Sequence, residues 1–126
     1  MSHDVRVIHL SDFLRARADG RVDLDMAKAL LAQVAAKAAP LDNYEVLIDI
    51  RDVMGGQLTP EEVYGLAESL DRFRSTFLHK TAVLCPRERF NSAHFFSLLA
   101  AQRGFKRIRA FLSYEDAMEW LMASED

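Results

Sequence analysis

Cysteine occurs once, at Cys85, so no disulfide can form within the chain and nothing calls for an oxidising compartment. Long apolar runs are missing too. None approaches the ~18 residues that suggest a membrane span. The start, Met1-Ser2-His3-Asp4, has neither the basic stretch nor the apolar run of a secretory signal. The expectation is a cytoplasmic protein with no membrane span. No stretch rich in Pro, Gly or Ser interrupts the sequence, so residues 1–126 are expected to form a single domain. Charge of one sign is also scarce: 16 basic against 19 acidic residues leave a net −3, no strong field toward nucleic acid or anionic membrane. Local basic clusters (Arg15, Arg17, Arg21, then Arg103, Lys106, Arg107, Arg109) are interleaved with apolar positions. No nucleic-acid-reading motif accompanies them, so they read as solvated faces and nucleic acid is not an expected partner.

What is present is apolar material in quantity. Half of the residues are hydrophobic, enough for a substantial core. The most informative stretch is Tyr44-Glu45-Val46-Leu47-Ile48-Asp49-Ile50-Arg51-Asp52-Val53. Its near-continuous apolar run lacks the in/out alternation of a half-exposed strand, which predicts a central strand covered by helices on both faces.

The remaining elements fall around it. Val5–Leu10 and Phe13–Ala18 alternate like strands, with Ser11-Asp12 as a tight turn and Asp19-Gly20 as the stop, predicting an antiparallel hairpin. From Leu24 to Ala38 the period changes: Ala27, Leu30, Leu31, Val34, Ala35 and Ala38 share one helical face. Asp23 or Asp25 is placed to cap this helix and Pro40 to end it. Thr59-Pro60-Glu61-Glu62 is a capping box with proline at the first helical position, opening a helix with Val63, Leu66, Ala67, Leu70 and Phe73 inward. Thr81–Cys85 reads as a short buried strand stopped by Pro86. Asn91 or Ser92 can cap a third helix that Gly104 ends. Arg107–Leu112 reads as an edge strand, and Ser113-Tyr114-Glu115-Asp116 opens a last helix with Ala117, Trp120 and Leu121 inward. The order ββαβαβαβα predicts an α/β domain: a mixed, mostly parallel sheet with helices packed on it.

In such sheets ligands bind beyond the carboxyl ends of the parallel strands, which directs attention to Arg51–Thr59, Pro86–Ser92 and the turn near Ser113. Gly55-Gly56 precedes a helix, but the spacing matches neither phosphate-loop nor dinucleotide signatures, so the pair reads as a loop with unusual backbone angles. Cys85 sits between a strand and a helix start, as in cysteine phosphatases. Six residues on, however, stands Asn91 where such a site needs arginine, and a small buried residue is the simpler reading. His3, His9, His79 and His94 lack metal-ligand spacing. No catalytic residues, metal or cofactor are expected. Asp49, a carboxylate inside an apolar strand, is expected to support the Asp52–Gly56 turn by receiving loop amides. Phe95, Phe96, Leu98 and Leu99, with Met118 and Met122 around Trp120, exceed what one buried face requires. They read equally as a broad core stripe or as exposed apolar surface for a partner, a second copy or a lipid.

Taken together, the element order, Val46–Val53, the Thr81–Cys85 strand and the ending Arg109-Ala110-Phe111 … Ala117-Met118-Glu119-Trp120-Leu121 resemble the SpoIIAA-like group of the STAS superfamily, named for sulfate transporters and anti-sigma-factor antagonists. The resemblance covers about Val5 to Leu121. It implies a SpoIIAA-like fold and a non-enzymatic regulatory or protein-interaction module, working with a protein partner or as a homodimer. Regulatory members carry a phosphorylatable serine in an Asp-Ser-Ser/Thr-Gly turn. Here the corresponding Asp52-Val53-Met54-Gly55-Gly56-Gln57-Leu58-Thr59 has no serine, which leaves Thr59 as the phosphoacceptor candidate. Other relatives resemble lipid-exchange domains, so the alternative is a carrier for a lipid or small apolar ligand. The surplus phenylalanines and methionines suit that reading. Arg51, Asp52, Gln57, Thr59, Arg87 and Arg89 are the residues expected at the ligand or partner surface.

Overall fold

A computed structural model describes residues 3–8 and 13–123, with side chains from Leu14 onward. The strands are β1 (His3–Ile8), β2 (Phe13–Arg21), β3 (Glu45–Met54), β4 (Thr81–Leu84) and β5 (Ile108–Phe111). They lie in that order across one sheet, which places β3 at its centre. β1 pairs antiparallel with β2, and β2 to β5 run parallel, giving the mixed sheet that the alternation of strands and helices predicts. The expected Ser11-Asp12 turn lies outside the described residues.

The helices are α1 (Leu24–Ala38), α2 (Pro60–Ser69), α3 (Arg74–Phe77), α4 (Phe90–Gln102) and α5 (Tyr114–Met122). Alternate β3 side chains enter two different cores, as strand geometry requires. Val46 and Ile48 join residues of α1, α2 and α4, such as Leu30, Val34, Val63 and Phe96. Leu47 packs with Ala82, Leu84 and the α5 residues Ala117 and Leu121 on the opposite face. Each fully buried aliphatic side chain of this kind contributes about 1.5–3 kcal/mol relative to exposure.

Local chemistry sets the helix ends. Asp23, not Asp25, caps α1 by accepting from the Met26 amide at 2.9 Å. At α2 both halves of the Thr59/Glu62 box form, at 2.9 and 3.1 Å. Ser113 accepts from the Asp116 amide at 3.3 Å to open α5. Gly104, at φ +97°, closes α4: its own amide bonds Ala101 O and the Phe105 amide bonds Ala100 O, which seats Phe105 in the core.

Three local expectations are corrected. Asp19-Gly20 does not stop β2, which pairs with β3 as far as Arg21. The helix opened by Thr59 does not run through Phe73. It passes into a 3-10 turn at Leu70–Phe73 and then into α3, because Phe73 leaves the helical region at φ −124°, ψ 36°. Neither Asn91 nor Ser92 caps α4, since a 3-10 turn at Arg87–Arg89 leads directly into Phe90.

Candidate functional site

Near its carboxyl end β3 carries one residue more than its neighbour. Arg17 pairs with Asp49 and Asp19 with Asp52, so Ile50 and Arg51 together oppose the single residue Ala18. Such a bulge changes which face the following side chains reach. Ile50 and Val53, which strict alternation would separate, both line a cavity on the α1/α2/α4 side of the sheet.

The cavity has a volume of about 130 Å³. Ala18 and Val22 bound it near the end of β2, Met26 and Leu30 from α1, Ile48, Ile50 and Val53 from β3, and Val83 from β4. Leu58 in the loop after β3, Val63 and Leu66 of α2, and Ala93 and Phe96 of α4 complete the apolar wall. It therefore sits at the carboxyl end of the parallel strands, the usual ligand position in open α/β sheets. Three polar lining residues interrupt the wall: Asp19, Ser92 and Arg89.

Arg89 ends the 3-10 turn before α4 and is 9% exposed. Its Nη2 donates to Gly55 O at 2.8 Å, and both terminal nitrogens lie 3.5 Å from Gly56 O. Its Nε is buried and has no partner among the described residues. Gly55 stands at φ +92°, a backbone state that glycine enters without strain; of the pair expected to have unusual angles, Gly56 does not share it. Gln57 ties the same loop down. Its Nε2 donates to Glu88 O at 2.6 Å, and its Oε1 accepts from Ser92 Oγ at 2.9 Å. The 55–59 loop is thus strapped across the start of α4.

Of the residues expected at a functional surface, the fold brings together Gln57 and Arg89, with Thr59 just beyond as the α2 cap. Thr59 is exposed and its hydroxyl oxygen already serves the Glu62 amide. Arg87 is exposed on the turn leading to Arg89. Arg51 and Asp52 belong to a different group. Arg51 donates through Nε and Nη2 to the Asp49 carboxylate at 3.1 and 2.9 Å, and Asp52 pairs with Arg17 at 2.7 Å.

The role expected of Asp49 is corrected as well. It does not gather the amides of the Asp52–Gly56 turn; its partners are Arg51, including the Arg51 amide at 3.1 Å, and Arg15 at 3.4 Å. Burial pushes its carboxyl upward, but the bonds and charge of Arg51, helped by Arg15, outweigh this and hold it below the usual value. Cys85 is fully buried, its thiol 3.5 Å from Phe111 O, and burial raises it to about 11. A thiol so reluctant to ionise is not a nucleophile at neutral pH. On α4 the apolar surplus divides: Phe96 and Ala100 turn inward while Phe95 and Leu98 are exposed. Among the described residues no His/Cys/Asp/Glu group is placed to hold a metal, and no helix is long and apolar enough to cross a membrane.

Arg89, Val53, Leu58 and Ser92 fall within the stretches that the sequence points to, but the rest of the cavity lining was not legible as a site. Its members look like core positions, and the nearest signal was the glycine pair facing Pro86–Ser92 across the strand ends.

A solved structure of an uncharacterized protein of the DUF3478 family from Shewanella loihica PV-4, described as having a SpoIIAA-like fold, matches this chain with a TM-score of 0.58. The match covers 95% of this chain and 92% of that one at 16% identity. The fold is SpoIIAA-like. Neither protein-family models nor curated proteins give a match. Within this SpoIIAA-like frame the cavity lies between the central strands and the three-helix layer, while α5 closes the reverse face.

Proposed function

We propose that this chain is a non-catalytic binding module that takes a small, mostly apolar ligand into the cavity at the carboxyl end of β2, β3 and β4, and whose regulatory output is the occupancy of that site. The observation that carries this reading is the cavity itself: a space of about 130 Å³ with an almost wholly apolar wall, formed where the β3 bulge re-aims Val53. Close packing is the rule in protein interiors, so an apolar space of this size invites an occupant. Its scale narrows the carrier alternative. An engineered cavity of about 150 Å³ holds benzene, whereas sites for drug-sized ligands run to about 300–1,000 Å³. A compact ligand suits it better than a two-chain lipid. The high-lying thiol of Cys85 and the ion-paired state of Asp49 favour binding over catalysis.

Titration with toluene, a neutral probe of suitable size, tests the reading. Toluene is expected to shift the amide or methyl NMR signals of Leu30, Ile48, Val53 and Phe96 and to raise the melting temperature. Unmoved cavity signals at saturating toluene would overturn it.

A further inference from the structure

We infer that the ligand of this cavity is a small monocarboxylic acid, its apolar body against the Ile48/Ile50/Val53 wall and its carboxylate against Arg89. The inference rests on the cavity being a ligand site, and it adds the chemistry of the ligand's head.

Arg89 is an unusual residue to find in such a wall. It is nine-tenths buried and lines a cavity whose other members are, apart from Asp19 and Ser92, apolar. A buried cation needs compensation by hydrogen bonds and opposite charge. The Gly55 and Gly56 carbonyls supply only neutral acceptors, one at 2.8 Å and the other at 3.5 Å, and they engage only the terminal nitrogens. Nε–H, buried on the same side chain, has no acceptor among the described residues. Asp19 is already engaged in an interaction of its own and adds to the field that holds Arg17 charged. A charged ligand oxygen against Arg89 would give this cation the opposite charge that the two carbonyls do not, and a charge-assisted bond is the stronger kind.

The number of donors decides the head. A phosphate or sulfate, with three or more exposed oxygens, needs several donors in a dry site. Here the lining side chains offer Arg89 and the single hydroxyl of Ser92, which is already spent on Gln57. One carboxylate matches one guanidinium. The volume decides the body: a phenyl ring or a chain of about six carbons is of the scale such a cavity holds. Conversely, an acid of this type entering an apolar cavity without Arg89 would have to bury an unpaired charge.

The experiment compares hexanoate and phenylacetate with hexanamide and phenylacetamide, which keep size and shape and lose the charge. NMR titration of the intact protein is expected to shift signals of Ile48, Val53 and Ala93 with each probe, the acids binding at least about tenfold more tightly, as a charge-assisted bond implies. Arg89→Met is expected to abolish that preference, and Arg89→Lys to keep part of it. Because Arg89 also holds the Gly55-Gly56 loop, the comparison of acid with amide in the unmutated protein stands even if the variants do not fold. Equal affinity of acids and amides would overturn the carboxylate while leaving the apolar cavity site intact. Preference for acids undiminished in a folded Arg89→Met protein would equally overturn the role of Arg89. Cavity signals unmoved by all four probes and by toluene would remove both the inference and the reading it rests on.

Discussion

Asp49 and His79 are both drawn into the fold, and their environments push their charges in opposite directions. Asp49 keeps its charge because Arg51 and Arg15 stand against it. His79 stacks on Tyr44 with ring centroids 4.0 Å apart. Burial, and then the repulsion of Arg107, lower its pKa below the ordinary 6.5. A group with a depressed folded pKa binds more protons unfolded than folded between the two values, so its contribution to stability is present above the unfolded value and lost as pH falls through the folded one. His79→Phe preserves the stack and removes the titration. Urea unfolding at about pH 7.5 and about pH 5.5 is expected to show the unmutated protein losing stability on acidification, and His79→Phe losing less. Equal losses in the two proteins would show that His79 is not folded in its neutral form.

At the scale of elements, helix ends that are set by a cap or a glycine were legible in the sequence, whereas the end of α2 and the start of α4 were not. Thr59, Ser113 and Gly104 act through their own neighbours, so a few residues suffice to recognise them. The stripe Val63, Leu66, Ala67, Leu70, Phe73 could not reveal where α2 ends, because a 3-10 turn places residues three apart on one side just as the apolar spacing does. The bulge at Ile50–Arg51 was illegible for a different reason: it is a property of the pairing between two strands, and neither strand encodes it alone. The anchoring of α5 was missed as well. Lys80, at the entry to β4 and 6% exposed, donates through Nζ to Trp120 O at 2.7 Å and Ala123 O at 2.8 Å. It thereby adds a donor to carbonyls at the helix end, where Trp120 O otherwise has, among the described residues, only the Ala123 amide at 3.3 Å, and brings a charge of the favourable sign. Its ammonium also lies 5.3 Å from the Trp120 ring centre. Lys80→Met keeps the stem and removes both bonds. A loss of about 1.5–3 kcal/mol is expected for a hydrogen-bonded charge, with hydrogen exchange accelerating first in the last turn of α5. Unchanged exchange there would mean that packing by Ala117 and Leu121 alone holds the helix.

At the scale of the whole molecule, periodicity and caps were enough to place β3 at the centre of a helix-covered sheet, because burial on both faces leaves a direct mark on composition. A cavity leaves no such mark. It is the volume that remains between Ile48 and Val83 on the sheet and Leu30, Val63 and Phe96 on three separate helices, and each of those residues is what an ordinary core would use. An unfilled space has a cost in stability. At about 24 cal/mol per Å³, a volume of about 130 Å³ corresponds to at most about 3 kcal/mol. Ala93 is buried on the cavity side of α4, at the carboxyl end of the sheet near Arg89. Replacing it with leucine adds three carbons where the wall has room and leaves Arg89 itself unchanged. Ala93→Leu is therefore expected to be neutral or to raise the denaturation midpoint, and at the same time to abolish the response to toluene and hexanoate. Gaining stability while losing binding is the signature of a site maintained at the expense of packing. Destabilisation by more than about 1 kcal/mol, the mark of an overpacked interior, with ligand response retained, would instead place the binding space elsewhere in the molecule.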